Sequence, residues 1–311
     1  MELWQLQQLQ GLPLEVKIRK TQERIKEWYE HFGGQVYISF SGGKDSTVLL
    51  HTARELYPDI EAVFVDTGLE YPEIRSFVKT YDNVAWIRPK MNFKKVIEQY
   101  GYPVISKEVS KCVYYARRGS EWAEKKLNGT YNDFSARFVK YKNLVNAPFE
   151  MSSRCCDVMK KEPFYKYETL SKKKPIIGTT ADESSQRLSG WLKTGCNSFE
   201  EKRPMSKPLS FWKEQDILHY LLQNNLPMAS CYGEIIEGDQ LEGQTVLDGC
   251  MSNLTTSKCK RTGCMFCMYG VHLEKEPNRF QMMEETHPKQ YDYCINKLGL
   301  GKVLDYIGVK Y

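Results

Sequence analysis

No stretch of the 311 residues approaches the run of about 18 apolar residues that a membrane-spanning helix needs, so no membrane partner is expected. The N-terminus, MELWQLQQLQGLPLEVKIRK, lacks the basic start and apolar stretch of a secretory signal, and a cytoplasmic protein is expected. Neither an internal repeat nor a low-complexity tract occurs. With 41% hydrophobic and 27% charged residues, the composition excludes a disordered or fibrous chain. Neither charge sign dominates, since 44 Lys and Arg oppose 39 Asp and Glu for a net +5. Histidine is sparse, at five residues, and His272, near a cysteine pair, reads as a packing residue.

Cysteine, by contrast, is plentiful. Ten cysteines in a cytoplasmic chain point to metal or redox chemistry, because structural disulfides are rare there. Cys112, Cys196 and Cys294 stand alone and read as buried free thiols. Cys231, Cys250 and Cys259 are intermediate, with Cys259 a spare ligand. The adjacent Cys155-Cys156 and the later Cys264 and Cys267 offer four thiolates in two pairs, suited to zinc or an iron–sulfur cluster. Consecutive side chains diverge, so an adjacent pair reaches two irons of a cubane more readily than one zinc ion.

Charge is local as well. Residues 107–174 hold sixteen Lys and Arg against eight Asp and Glu, a basic wall fit for nucleotide phosphates or nucleic acid.

Three segments follow from the pattern: an N-terminal helical segment over 1–34, an α/β nucleotide-binding domain over 35–228 with a basic insert at about 106–150, and a loop-rich cysteine-containing and helical part over 229–311. LEVKIRKTQERIKEWYEH has helical spacing and stops at Gly33-Gly34. VYISF is an apolar strand leading through Ser41-Gly42-Gly43-Lys44-Asp45-Ser46 into a helix. AVFV runs into Asp66-Thr67-Gly68, a helix is predicted over Tyr71–Lys79, VAWI is a third strand, and KPII enters Gly178-Thr179-Thr180. The sequence LSFWKEQDILHYLLQNNLP reads as a further helix. This alternation predicts an α/β fold with a twisted parallel sheet covered by helices on both faces. Ligands of such sheets sit beyond the strands' carboxyl ends, where Ser41–Ser46, Asp66–Gly68 and Gly178–Arg187 would meet.

In SFSGGKDST two glycines permit positive φ and close approach of backbone N–H groups to an anion, and the following helix N-terminus adds partial positive charge. Ser41 and Ser46 supply hydroxyls, Lys44 a mobile cation, and Asp45 a helix cap or metal ligand. The turn suits a pyrophosphate. It is not the longer G-x-x-x-x-G-K-S/T loop, which disfavours a kinase or GTPase of that type.

SGGKDS resembles the signature of the PP-loop ATP pyrophosphatases, which cleave ATP between the α- and β-phosphates, usually to adenylate a substrate oxygen. The wider pattern resembles the phosphoadenosine-phosphosulfate (PAPS) reductase family within that group, whose cluster-bearing members hold [4Fe–4S] through a Cys-Cys pair, followed by Lys and Pro, and a later Cys-x-x-Cys. Cys155, Cys156, Lys160, Pro163, Cys264 and Cys267 match one by one. VDTGLEYPE, GTTADESSQR with Arg187, and KPLSFWKEQDIL match too, so the resemblance covers about Gln35 to Tyr269. It implies the adenine nucleotide alpha hydrolase-like fold.

Two departures shape the functional expectation. The family's reductases use a cysteine in a Glu-Cys-Gly-type tail, and no cysteine follows Cys294 here. Thr179 and Thr180 stand where reductases tend to present arginines. The intact turn favours ATP over a sulfonucleotide.

The resemblance therefore implies a PP-loop enzyme that cleaves ATP–Mg²⁺ to AMP and pyrophosphate and adenylates an acceptor for sulfur transfer. Its cofactor would be [4Fe–4S] on Cys155, Cys156, Cys264 and Cys267, with zinc a less favoured occupant. The expected nucleotide- and cofactor-binding set is Ser39, Ser41, Gly42, Gly43, Lys44, Asp45, Ser46, Asp66, Thr67, Gly68, Gly178 and Lys160, and the catalytic set is Lys44, Asp45, Asp66 and Arg187. The acceptor is expected to be anionic, with nucleic acid a candidate along Lys107–Lys142, and the sulfur donor a protein such as a cysteine desulfurase. The oligomeric state stays open. Two alternatives stand beside this reading: a thiol-dependent sulfonucleotide reductase using Cys294 or a partner's thiol, and a non-catalytic ATP- or nucleic-acid-binding module with a structural metal.

Overall fold

Helix α1 (Leu14–His31) forms where the periodicity places it, burying Leu14, Lys17, Thr21, Ile25 and Trp28 at steps of three and four. Two of these are polar and both are satisfied. Lys17 Nζ pairs with Asp216 at 2.7 Å, and Thr21 Oγ1 accepts the Trp212 indole N–H at 2.8 Å. Gly33 and Gly34, at φ 54° and 76°, end the helix in the left-handed region.

The computed structural model describes residues 1–238 and 253–311, so Cys250 lies outside the described residues. The chain divides into two compact units, one gathering 1–66, 71–87 and 165–262, the other 67–70, 88–164 and 263–311. The units interleave along the chain: the segment 88–164, read from sequence as part of the nucleotide-binding stretch, folds with the C-terminal residues.

The first unit is built on a six-stranded sheet of β1 (Val36–Ser39), β2 (Ala62–Val65), β3 (Val84–Ile87), β4 (Lys174–Ile177), β5 (Asn197–Ser198) and β6 (Met205–Ser206). Its order is β3-β2-β1-β4-β6-β5, parallel throughout except for the antiparallel β5–β6 pair. From β1 the chain moves outward to β2 and β3, then returns to β4 on the other side of β1. The carboxyl ends of β1 and β4 therefore flank a topological switch point. Helices α2 (Lys44–Leu56), α3 (Pro72–Val78), α4 (Ser185–Thr194) and α5 (Glu214–Gln223) belong to this unit. Ile38, Phe40, Val48, Leu49, Phe64, Ile176, Trp191 and Trp212 form its buried core. The helix read over LSFWKEQDILHYLLQNNLP is trimmed to α5 because Asp216 accepts the Lys213 N–H at 2.7 Å and fixes its start.

The second unit is mainly helical, with one short parallel strand pair, Val104–Ile105 and Met268–Tyr269. The insert forms helices Lys107–Ala116 and Glu121–Leu127 and a 3₁₀ run, Asp133–Asn146. The Arg117 guanidinium closes it by donating to the carbonyls of Leu144, Val145, Ala147 and Phe149 at 2.7–3.0 Å. After Arg154–Cys156 the helix widens into a π-turn, Asp157–Lys161. Among the described residues no helix is long and apolar enough to cross a membrane.

Candidate functional site

The turn after β1 is held by its own hydroxyls. Ser46 Oγ donates to the Gly43 carbonyl at 2.9 Å, lies 3.0 Å from Ser41 Oγ, and accepts the Ser41 N–H at 3.2 Å. Thr47 Oγ1 donates to the same Gly43 carbonyl at 3.0 Å. Gly42 has φ 72°, and a Cβ there would stand 2.8 Å from Val78 Cγ2 and 2.9 Å from Ile74 Cγ2, so only glycine fits. Gly43 faces the Tyr232 hydroxyl, which hydrogen-bonds Thr262 Oγ1 at 2.6 Å and accepts the Lys44 N–H at 3.4 Å. Ser39 closes β1 just before the turn.

Lys44 and Asp45 open α2. The Lys44 side chain is 5% exposed, and its Nζ pairs with Glu214 Oε1 at 2.8 Å while lying 5.5 Å from the Tyr232 ring centre. Burial pushes the Asp45 carboxyl above its ordinary range, against the pull of the Lys44 and Arg187 charges. Arg187, on α4, is pushed down by burial, while Asp45 draws it back up; it also pairs with Glu183.

Gly178 brings the end of β4 against this helix start. A Cβ there would stand 2.9 Å from the Asp45 carbonyl oxygen. Beyond Gly178, a cavity of about 180 Å³ is lined by Thr179, Thr180, Gln186, Arg187, Lys207 and Ser210, with Ile177 and Ala181. Burial also lowers the Lys207 pKa. Two cations and three hydroxyls around one cavity suit an anionic group.

Of the expected nucleotide residues, Ser41–Ser46, Gly178 and Arg187 thus converge. Asp66 follows β2 and is buried, with its carboxylate paired to Arg75 at 3.0 Å. Thr67 and Gly68 fold with the other unit. There Glu70 accepts the Thr67 hydroxyl at 2.6 Å, and the Met265 N–H donates to the Leu69 carbonyl at 2.8 Å. Sequence reasoning missed Glu214, Tyr232, Thr262, Lys207 and Ser210 as neighbours of the site. Glu214, Lys207 and Ser210 lie in the KPLSFWKEQDIL motif, a usable signal; Tyr232 and Thr262 carried none.

The second unit gathers the cysteines. Burial, then the neighbouring Cys264, Cys156 and Cys267, push the Cys155 thiol up. Burial likewise pushes Cys264 up to about 11, opposed by Lys160, and raises Cys267. The Cys264 thiolate in turn raises the buried Lys160 ammonium. Thiols that oppose one another's ionisation are stabilised as thiolates by a positively charged group, and four sulfurs are a complete set for one. Among the described residues, no three His, Cys, Asp or Glu side chains close on a single metal ion. The four thiols whose charges act on one another match in number the ligands of a polynuclear group, whose metal atoms each take a different ligand. Cys294 sits fully buried in the turn Tyr293–Lys297, and burial raises its pKa.

The phosphoadenosine phosphosulfate reductase domain model matches residues 35–110 and 82–269, most of the chain. The chain belongs to the PAPS reductase family. Within it, a PAPS reductase of Xylella fastidiosa is 24% identical over 71% of this chain and 77% of its own length. An uncharacterized protein of Methanocaldococcus jannaschii is 38% identical over 93 residues, 27% of this chain and 22% of that protein. The chain thus spans about a fifth of that relative's length. Among solved structures, the U34-tRNA thiolase NcsA of Methanococcus maripaludis with its [4Fe-4S] cluster aligns over 95% of this chain and 82% of its own. The identity is 13% and the TM-score 0.35.

Proposed function

We propose that this chain binds ATP–Mg²⁺ at the Ser41–Ser46 turn and cleaves it to AMP and pyrophosphate, adenylating an anionic acceptor for sulfur transfer. The observation that carries the reading is the intact S-G-G-K-D-S turn at the switch point, with α2 behind it and Gly178 closing β4 against it. An acceptor oxygen attacks the α-phosphorus, the bond to the bridging oxygen breaks, and pyrophosphate leaves. Backbone N–H groups of Gly42, Gly43 and Lys44, with the Lys44 ammonium, stabilise the charge gathering on the leaving group. Asp45 or Asp66 holds Mg²⁺, and Arg187 with Lys207 orients an anion in the cavity beyond Gly178.

Cys155, Cys156, Cys264 and Cys267 hold [4Fe–4S], with the Lys160 cation beside their thiolates. Such a cluster supplies sulfur or electron chemistry when bound. The donor set supports this over zinc, because an adjacent cysteine pair suits two metal atoms.

The test is anaerobic purification with iron, sulfide and zinc analysis, then incubation with Mg²⁺ and α-labelled ATP. Iron and sulfide near four per chain, with AMP and pyrophosphate formed by the wild type and lost in Lys44→Ala, support the reading. Sulfite release from adenylyl sulfate with a thiol donor, without ATP turnover, would replace it by the reductase reading of the named relatives. That outcome would need a thiol other than the buried Cys294. Zinc alone with no turnover would leave a binding module.

A further inference from the structure

The insert carries a row of aromatic rings interleaved with cations. Tyr114 and Tyr115 are in edge contact at 5.4 Å, Tyr115 and Trp122 at 6.1 Å, and Trp122 and Tyr131 at 6.4 Å between ring centres. Cations lie over the same rings: Arg118 over Tyr114 at 3.6 Å, and Lys111 and Lys126 over Trp122 at 5.8 and 6.0 Å. The row is accessible, with Tyr115 41% and Tyr131 51% exposed. Ala116, Ala123 and Leu127 of the same two helices are buried, so the helices that carry Tyr114, Tyr115 and Trp122 are packed on their other side.

Charge is concentrated here too. Residues 107–146 carry nine Lys and Arg against four Asp and Glu, an excess of five that equals the net charge of the whole chain. The remaining residues balance. Part of the excess is internally spent, because Glu108 pairs with Lys126 and Arg137, and Glu121 with Lys125. Arg117 is turned inward to backbone carbonyls. Lys107, Lys111, Arg118, Lys140 and Lys142 remain as outward cations, with Arg118 also near Glu150 at 3.7 Å.

A protein surface meant only to stay solvated has no use for four rings in series, two of them, Tyr114 and Trp122, with cations over their faces. A duplex presents phosphates but keeps its base faces stacked inside, so it uses the cations and leaves the rings idle. Unpaired nucleotides use both: their phosphates meet the cations and their bases stack on exposed Tyr and Trp faces.

We infer that Tyr114, Tyr115, Trp122 and Tyr131, with Lys111 and Arg118, form a stacking platform for single-stranded nucleic acid. The inference names the acceptor class of the adenylating reading and rests on that reading for its role, while the binding itself needs no ATP.

The experiment is fluorescence anisotropy of the full chain, without ATP, with a labelled 20-mer of oligo-U, the matching oligo-dT, and a duplex of equal length, over a salt series. Salt-sensitive binding that favours the single strands over the duplex is expected. Tyr115→Ala with Tyr131→Ala should weaken it about tenfold or more at constant salt, since two stacking faces are lost. Lys111→Ala should lower the slope of log affinity against log salt by about one phosphate contact. Both tyrosines are exposed, and unchanged urea unfolding shows that the variant stays folded. Equal affinity for duplex and single strand, or an unchanged affinity in the double tyrosine variant, overturns the platform. Absence of salt-sensitive binding overturns it as well. Stronger binding of oligo-U than oligo-dT assigns RNA, and equal binding leaves the platform intact but blind to the 2′-hydroxyl. Basal AMP release by the double tyrosine variant reads the adenylating reaction separately, so either idea can fail alone.

Discussion

The Ser41–Ser46 turn and the cysteine set are built in opposite ways. Ser41 to Thr47 are contiguous, and most of the turn's hydrogen bonds run among Ser41, Gly43, Ser46 and Thr47 themselves, with Tyr232 and Glu214 added from outside at Lys44. Its backbone is shaped chiefly by the chain that contains it. The cysteines come from two segments more than a hundred residues apart, and in the folded unit they resist ionisation. One region is shaped mostly within its own stretch of backbone; the other is a set of thiols that, on the proposed reading, needs a bound cluster to hold it together. A turn of this kind should survive loss of the metal, whereas the thiol unit should depend on it.

The sharpest break in that comparison is Cys264→Ser. Bound iron and sulfide should fall nearly to zero in anaerobic preparations, and hydrogen exchange over 88–164 and 263–311 should accelerate, while ATP still shifts the melting of the sheet unit. Retention of full iron would show that Cys264 is not a ligand. Loss of ATP binding along with the iron would show that the two regions are not separable.

Next is Gly42→Ala, which tests the turn. A residue forced to φ 72° costs about 1–2 kcal/mol. Crowding against Ile74 and Val78 adds about 1–3 kcal/mol, so urea unfolding should show a loss of about 2–5 kcal/mol, with nucleotide binding gone and iron content kept. An unchanged midpoint would mean the turn yields where its packing says it does not. Gly178→Ala should follow with about 1–3 kcal/mol, because its added methyl meets the Asp45 carbonyl rather than a side chain able to swing away. Calorimetric unfolding with and without ATP reads that effect.

The smallest expected change refines the electrostatics of the turn. Glu214 holds the Lys44 ammonium but is itself half exposed, so the pair is worth little net free energy. Glu214→Gln releases Lys44 for phosphate and should tighten ATP binding about twofold to fivefold by isothermal titration. A weaker affinity would instead make Glu214 a positioning residue for Lys44.

Much of the fold was legible because the signals are local. Apolar strands followed by glycine turns and helices placed β1 to β4 and α2, and the stripe from Leu14 to Trp28 placed α1. Grouping Cys155-Cys156 with Cys264 and Cys267 came from their spacing and then matched a family pattern, and the fold gathers those thiols in one unit. Less legible was the way Asp66 and Thr67, neighbours in sequence, divide between the two units, because a chain's path out of a strand is set by what later segments pack there.

By itself, then, the sequence determined the strand–turn–helix of β1, the Ser41–Ser46 turn and α2. That unit needs only a few glycines, hydroxyls and an apolar run within about a dozen positions. Tertiary structure decided what surrounds it. Glu214 on the Lys44 ammonium, the Tyr232–Thr262 pair over Gly43, and Lys207 beside Arg187 are contacts across long stretches of chain. No periodicity encodes such contacts, because they exist only once the sheet's strand order has brought distant loops to one edge.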